Sequence, residues 1–450
     1  MHVPAIDNAR RVALRAAALL FAAAALAVAA RPAAAADAFT ELDRSHALIM
    51  LRDTREAIEK HYFDPGLKGI GIGALADTAK ARIEKAASIG ETLSAVAQFA
   101  LEFDDSHTFF VPPWQTAIVD YGWTMGMVGD VCEVIDVKAD SDAAHQGVAR
   151  GDVVASVNGL KPTRASLWRI EYLFHTLRPQ PGLHVELTRP NGEARVLDLA
   201  ANVRPRKRVV ALNGEDSGAD IARMVDEQAQ LTHEQAPRFV EVGKQVLLAR
   251  LPIFAVDDSV IESLLEKARH HAVLVLDLRG NPGGRMDAMR LLVGGLSRGD
   301  VTIGTLKWRE RSEPMLAKGK GDEAFTGRLF VLVDARSASA SELVARTMQL
   351  TERGTVIGDR TAGAVMTSRF HPLRVSHGEN VIAYAVSVTE ADVIMADGGR
   401  LEKKGVTPDF AVLPTAADLA EGRDPALAQA LKFAGQDLDA KQAGALLPNR

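Results

Sequence analysis

The run Ala272-Val-Leu-Val-Leu-Asp277 weighs most on what this chain can fold into. It is almost continuously apolar, as expected of a strand covered on both faces, which is the situation of a parallel strand inside an α/β layer. Helical patterns flank it, Ser259 to Ala268 before and Met286 to Leu296 after. Gln245 to Leu251 and Leu329 to Val333 read as further strands, and Glu342 to Gln349 as a further helix. This alternation, from Lys244 to about Val412, predicts an α/β fold.

The chain has 450 residues, 47% of them hydrophobic, which suits two or three domains with a large core. From Phe39 to Phe103 the pattern is helical, in segments near Ala47–Ile58, Ala74–Ala87 and Leu93–Phe103. Gly69-Ile-Gly-Ile-Gly73 resembles a dinucleotide loop, but the turn Asp64-Pro65-Gly66 stands where a strand is needed, so it reads as a plain loop. From about Gly122 to Ala201 short strands take over: Met125–Val128, Val131–Val137, Asp152–Val157 and His184–Thr188. Asn158-Gly159 and Asn191-Gly192 are turn signals there. Residues 203–243 are polar, open on the basic run Arg204-Pro-Arg-Lys-Arg208, and read as a linker. The tail, 416–450, reads as a helix from Pro425 followed by a loose end.

The first 36 residues read as a secretory signal peptide. Arg10, Arg11 and Arg15 precede an Ala/Leu run from Ala16 to Ala30, and Ala34-Ala35-Ala36 offers a cleavage site. Export is expected, most simply to a bacterial periplasm, by the general or the twin-arginine route. A net charge of -5 and the lack of a basic stripe argue against nucleic-acid binding. The single cysteine, Cys132, sits in an apolar strand-like run and excludes an intrachain disulfide framework. The twelve histidines include no H-E-x-x-H, and His270-His271 has no ligand spacing, so no metal or other cofactor is expected.

Two strand–helix turns carry the chemistry. Ser337-Ala-Ser-Ala-Ser-Glu342 joins the Leu329 strand to the Glu342 helix. A serine at such a tip is either a helix N-cap or a nucleophile beside backbone N–H groups that have no intrahelical partner. The second turn, Asp277-Leu-Arg-Gly-Asn-Pro-Gly-Gly284, brings bare backbone close to a ligand or simply closes a strand–helix corner. Two such turns of one open sheet can converge at its carboxyl edge, where ligands bind.

Together with the segment Met125–Gly159, these turns resemble the C-terminal processing (tail-specific) serine proteases and their tricorn-core relatives. The resemblance runs from about residue 40 to 412. It implies a ClpP/crotonase-like protease core over 244–415, an N-terminal helical domain over 37–115 and an inserted PDZ domain over 116–202. The PDZ likeness rests on Met125-Gly126-Met127, on Ser141–Val148 and on Gly151–Gly159. In that family the middle serine is the nucleophile, which is Ser339 here.

One departure matters. The bacterial tail-specific enzymes carry a lysine base about 25 residues after the serine; the matching position here is Ala364, and the accompanying acidic position is Leu350. Either another base exists, or the protein is a catalytically inactive ligand-binding or scaffolding relative. The tricorn-type branch supplies the other base. Phe103–Phe110 resembles its serine–histidine pair and Leu401–Asp409 its glutamate turn. By that resemblance His107 is the general base, Ser106 orients it and Glu402 supports the pair, with Asp104 and Asp105 as alternative orienters. The expected oxyanion hole is the N–H of Ala340 with that of Gly283 or Gly284. The N–H groups of Met125, Gly126 and Met127 are expected to bind a peptide carboxylate. The implied partners are protein or peptide substrates, engaged by their C-termini, with the PDZ segment either binding substrate or gating the site.

Overall fold

The computed structural model describes residues 39–113, 117–205, 236–377 and 380–447. The expected signal peptide and the basic residues 206–208 lie outside them. Among the described residues no helix is long and apolar enough to cross a membrane.

Three helices open the fold: α1 (Glu41–His61), α2 (Ile72–Lys85) and α3 (Ile89–Leu101). Thr40 caps α1 through a reciprocal pair with Asp43, and Ser88 caps α3. Strand β1 (Phe109–Val111) follows, then β2 (Ala117–Asp120), which pairs with β8 (Asn202–Pro205). Between these two strands lies a five-stranded antiparallel sheet in sequential order: β3 (Trp123–Val128), β4 (Val131–Val137), β5 (Val153–Val157), β6 (Gly182–Thr188) and β7 (Ala194–Ala200). A short helix, Leu167–Glu171, continues as one wide turn to Leu177 and covers this sheet with Ile170 and Phe174.

The predicted α/β layer is present. Its sheet runs β18 (Phe410–Ala411), β15 (Thr355–Gly358), β14 (Arg328–Val333), β11 (Val273–Asp277), β10 (Val246–Arg250) and β9 (Arg238–Val242). All pairs are parallel except β9 with β10. The apolar run of β11 faces both ways, as its sequence demands. Leu274 and Leu276 join the core beneath α4 (Asp258–Arg269), α5 (Met286–Gly295) and α6 (Ala340–Leu350). Val273 and Val275 join the opposite core beneath α7 (Pro425–Phe433) and α8 (Ala440–Leu446).

A second sheet completes the protein: β1, β12 (Val301–Trp308), β13 (Ser312–Ala317), β16 (Met366–His377) and the long β17 (Asn380–Met395). Tyr384, Val386 and Val388 of β17 pack against the N-terminal helices, whereas Ala391, Val393 and Met395 pack against the α/β layer. The parity of inward residues switches at Glu390, an unpaired extra residue between Thr389 and Ala391, so one bulge keeps a 16-residue strand facing inward along its length.

Three expectations need correction. The segment expected as a linker up to 243 ends in β9, because Val240 and Val242 bury against the sheet edge while Phe239 reaches the opposite face. The N-terminal helices are not a closed unit, since their core is completed by Val375, Tyr384, Val386 and Val388. The tail beyond residue 435 is no loose end: α8 buries Ala443 with Leu447 against the sheet, and Asp439 caps it.

Candidate active site

The three serines of the 337–342 turn divide their work. Ser337 and Ser341 are fully buried and knit the turn to the glycine loop: Ser337 Oγ donates to Leu278 O (2.8 Å) and Ser341 Oγ to Asn281 O (3.0 Å). Asp334 receives the N–H groups of Gly280 (2.8 Å) and Arg336 (3.0 Å). Ser339 has neither role. Its backbone sits at φ 54°, ψ -117°, a strained conformation for a side chain with a Cβ. Gly283 lies against it so closely that a Cβ there would stand 2.7 Å from Ser339 Cβ. The two turns therefore do converge at the carboxyl ends of β11 and β14.

The expected oxyanion donors separate. Ala340 opens α6, so its N–H has no partner within the helix. Gly283 N–H is occupied by the Asn281 side chain (2.8 Å), which removes it as the preferred second donor and leaves Gly284. Asn281 is itself held by Leu251 O (2.8 Å), so the glycine loop is braced from beneath.

His107, Ser106 and Glu402 meet although 296 residues separate the last two. Glu402 Oε1 accepts Ser106 N–H (2.8 Å), and Oε2 accepts Ser106 Oγ–H (2.8 Å) and Val365 N–H (2.8 Å). Ser106 Oγ lies 2.6 Å from His107 Nδ1. The hydroxyl proton is committed to Glu402, so the serine oxygen must accept from Nδ1–H. That assigns the tautomer and leaves the lone pair on Nε2. Consecutive side chains converge because residues 105–107 form a bend that follows Asp104 at φ 47°.

The same hydrogen bonds reach Ser339. Its N–H donates to Ala364 O (3.0 Å), and the next residue, Val365, donates to Glu402. Position 364 thus offers a backbone carbonyl to the Ser339 turn and carries no lysine side chain. Leu350 packs partly buried against the α/β core.

Burial lowers His107 below its ordinary value of 6.5, opposed by the charge of Asp105. Burial raises Glu402, with its hydrogen bonds from Ser106 and Val365 pulling the other way. Neither alternative orienter touches the imidazole ring. Asp105 is buried and pins the bend, accepting from His107 N–H (3.0 Å), Thr108 N–H (2.7 Å), Thr389 Oγ (2.8 Å) and Tyr62 OH (2.7 Å). Asp104 pairs outward with Arg169 (3.0 Å) and with Lys403.

The expected carboxylate site at Met125, Gly126 and Met127 needs correction. These residues are the middle of β3, in register with Val134, Glu133 and Cys132 of β4. Successive N–H groups of a strand point to opposite edges, so the three cannot converge on one carboxylate. β3 is an edge strand of its sheet.

Sequence reasoning passed over two features. Glu342 is fully buried one turn into α6 and receives four hydrogen bonds; the S-x-x-E spacing of a capping box was the available signal. His61, His371 and Glu390, far apart in sequence, bring their ligand atoms within 4.8 Å of one another. There the two imidazoles stack at 4.2 Å, Glu390 pairs with His371 (3.1 Å), and Arg369 approaches its second oxygen (3.5 Å). The group is thus a paired charge cluster in its own right.

Residues 245–412 match the sequence model of Peptidase family S41. The chain is 26% identical over 410 residues to a tricorn protease homolog of Streptomyces coelicolor, which spans 84% of this chain and 31% of that protein. It is 27% identical over 311 residues to a carboxy-terminal-processing protease of Bartonella bacilliformis, covering 68% and 64%. A tail-specific protease of Haemophilus influenzae is 26% identical over 253 residues, covering 54% and 32%. The chain therefore spans between about a third and two thirds of the length of these curated relatives. Among solved structures, mature CPAF superposes with a TM-score of 0.63 at 14% identity, covering 89% of this chain and 100% of that one, a likeness of fold.

Proposed function

We propose, from the match of residues 245–412 to Peptidase family S41, that this chain is an exported serine endopeptidase whose nucleophile is Ser339 and whose general base is His107. The observation that carries the assignment is the hydrogen-bonded chain Glu402–Ser106–His107, which presents Nε2 unprotonated and is tied through Val365 and Ala364 to the backbone of Ser339.

His107 Nε2 takes the hydroxyl proton as Ser339 Oγ attacks a peptide carbonyl. The half-buried carboxylate of Glu402, acting through Ser106, stabilises the imidazolium that forms. The N–H groups of Ala340 and Gly284 hold the developing oxyanion; each such donor is worth about 3 kcal/mol in the transition state. His107 returns the proton to the leaving amine, and water then releases the acyl group by the same path in reverse. A base whose pKa burial has lowered stays unprotonated over more of the neutral range.

The five-stranded β domain is read as a PDZ-type module. A substrate C-terminus would add as a strand along the free edge of β3, meeting alternate N–H groups there. The domain meets the α/β core at Asp359, whose Oδ2 accepts from Arg164 (2.7 Å) and from Gly129 N–H (2.9 Å). Export follows from the arginine-led apolar run before residue 37.

The deciding experiment is labelling by a fluorophosphonate probe. The expected result is labelling of the wild type, lost in Ser339→Ala and strongly slowed in His107→Ala. A wild type that stays unlabelled, or labelling unchanged in both variants, overturns the assignment and leaves the inactive ligand-binding relative.

A further inference from the structure

We propose that Glu342 is a positioning residue of this site: its carboxylate clamps the 361–365 loop onto the backbone of Ser339 and so sets the nucleophile's place relative to Glu402, Ser106 and His107. This rests on the peptidase reading above.

Glu342 Oε2 accepts the N–H groups of Ser339 (3.0 Å) and Ala364 (2.9 Å), and Oε1 accepts Gly363 N–H (2.8 Å) and Thr361 Oγ–H (2.5 Å). Thr361 Oγ in turn accepts Val406 N–H (2.6 Å), which directs its own proton to the glutamate. Every group facing the carboxylate is a donor, so the pocket is built for the ionised form. The loop is held residue by residue. The N–H groups of Thr361 and Ala362 go to Val406 O and Ser337 O, those of Gly363 and Ala364 to Glu342, and that of Val365 to Glu402. Two glutamates, the fully buried one on the nucleophile's helix and the half-buried one behind the histidine, thus grip adjacent peptide units of one loop. A shift of that loop moves Ser339 against its base.

Ionisation makes the clamp testable. Burial raises Glu342 to about 7, against the opposing hydrogen bonds from Thr361, Ala364, Gly363 and Ser339. Among the described residues no ion pair reaches it. The charged groups on the elements around it are Arg346, paired with Asp397; Asp359, paired with Arg164; Arg360, near Asp130; Glu402; Lys403, paired with Asp104; and Lys404. Protonation puts a hydrogen where only donors stand, and the clamp must open. His107 is lowered from 6.5, so it loses its base form only at more acid pH. The fall of activity on acidification is therefore set by Glu342.

The test is the rate of fluorophosphonate labelling across about pH 5 to 9 for the full chain, with thermal melting of each variant alongside. Glu342→Gln is expected to slow labelling by about tenfold or more on the alkaline plateau. Its acid limb is expected to move down to that of His107. Thr361→Val keeps the carboxylate but deletes a hydrogen bond that lowers its pKa, so its acid limb is expected to move up. A folded Glu342→Gln protein with the wild-type plateau and limb overturns the proposal. If that variant does not fold, an unmoved limb in Thr361→Val overturns it. Failure of the wild type to label overturns the peptidase reading and this inference together. Labelling lost in Ser339→Ala yet untouched in the Glu342 and Thr361 variants overturns this inference alone.

Discussion

The two halves of the proposed catalytic site are built in opposite ways. The nucleophile's half is local: a buried strand, six residues of turn and a helix, with Ser337 and Ser341 sewing the turn to the adjacent glycine loop. The base's half is assembled from afar, with the bend at 105–107 meeting Glu402 across 296 residues and leaning on Thr389 of β17. The first half depends on one sheet edge. The second exists only when the N-terminal helices, β17 and the 401–406 turn are all in place. A local site tolerates distant damage, whereas an assembled one reports it.

The sharpest way to break the contrast is to remove one reacting group from each half. Ser339→Ala and His107→Ala are each expected to lower kcat/KM for a peptide substrate by about 10⁴-fold, and the double variant by little more, because the two act as a unit. Additive losses in steady-state kinetics would mean that the halves do not work together.

Glu402→Gln comes next, with an expected loss of about 10²-fold in kcat. The amide cannot accept all three donors now facing the carboxylate. KM is expected to stay near the wild-type value, and kinetics that change KM alone would detach Glu402 from the base. The nucleophile's half is probed by Ser337→Ala. It deletes a buried hydroxyl that donates to Leu278 O, at an expected cost of about 1–2 kcal/mol in denaturant unfolding. The fluorophosphonate rate of the folded protein is expected to change much less than in Glu402→Gln. The smallest effect on catalysis is expected from Arg164→Ala at the β-domain contact. Asp359 keeps Gly129 N–H but loses a largely buried cation, for about 3 kcal/mol in thermal melting. A large loss of catalysis there would extend the assembled half into the β domain.

The same division explains what was legible beforehand. The alternation around Ala272–Asp277 and the turn at Ser339 follow local rules, and the strands and helices stand where those rules put them. Glu402 was visible only through a family resemblance, because Lys403 and Lys404 beside it fit a solvated turn equally well. Strand β9 was hidden by the polar residues leading to it, and its pairing with β10 is a long-range choice. Glu342 was passed over, since the helix dipole alone favours an acid at the start of a helix. Only the close approach of the 361–365 loop makes it the centre of four hydrogen bonds. The N–H groups of Met125, Gly126 and Met127 were grouped by sequence adjacency, which a strand converts into opposition.

The 361–365 loop has a consequence for how such sites diverge. Each of its five peptide N–H groups is held, and among its side chains Thr361 adds a hydrogen bond and Val365 packs into the core. Gly363, at φ 73° against the 403–405 backbone, and the buried Thr361 and Val365 are constrained, whereas Ala362 and Ala364 are free to change and the length of the segment is not. A proline at 363, 364 or 365 deletes a hydrogen bond, and a one-residue insertion turns Val365 away from Glu402. Position 364 can lose a reactive side chain without moving the nucleophile. On the proposed assignment, the duty of base can rest on a lysine of this loop or on a distant histidine while the backbone around the serine stays unchanged.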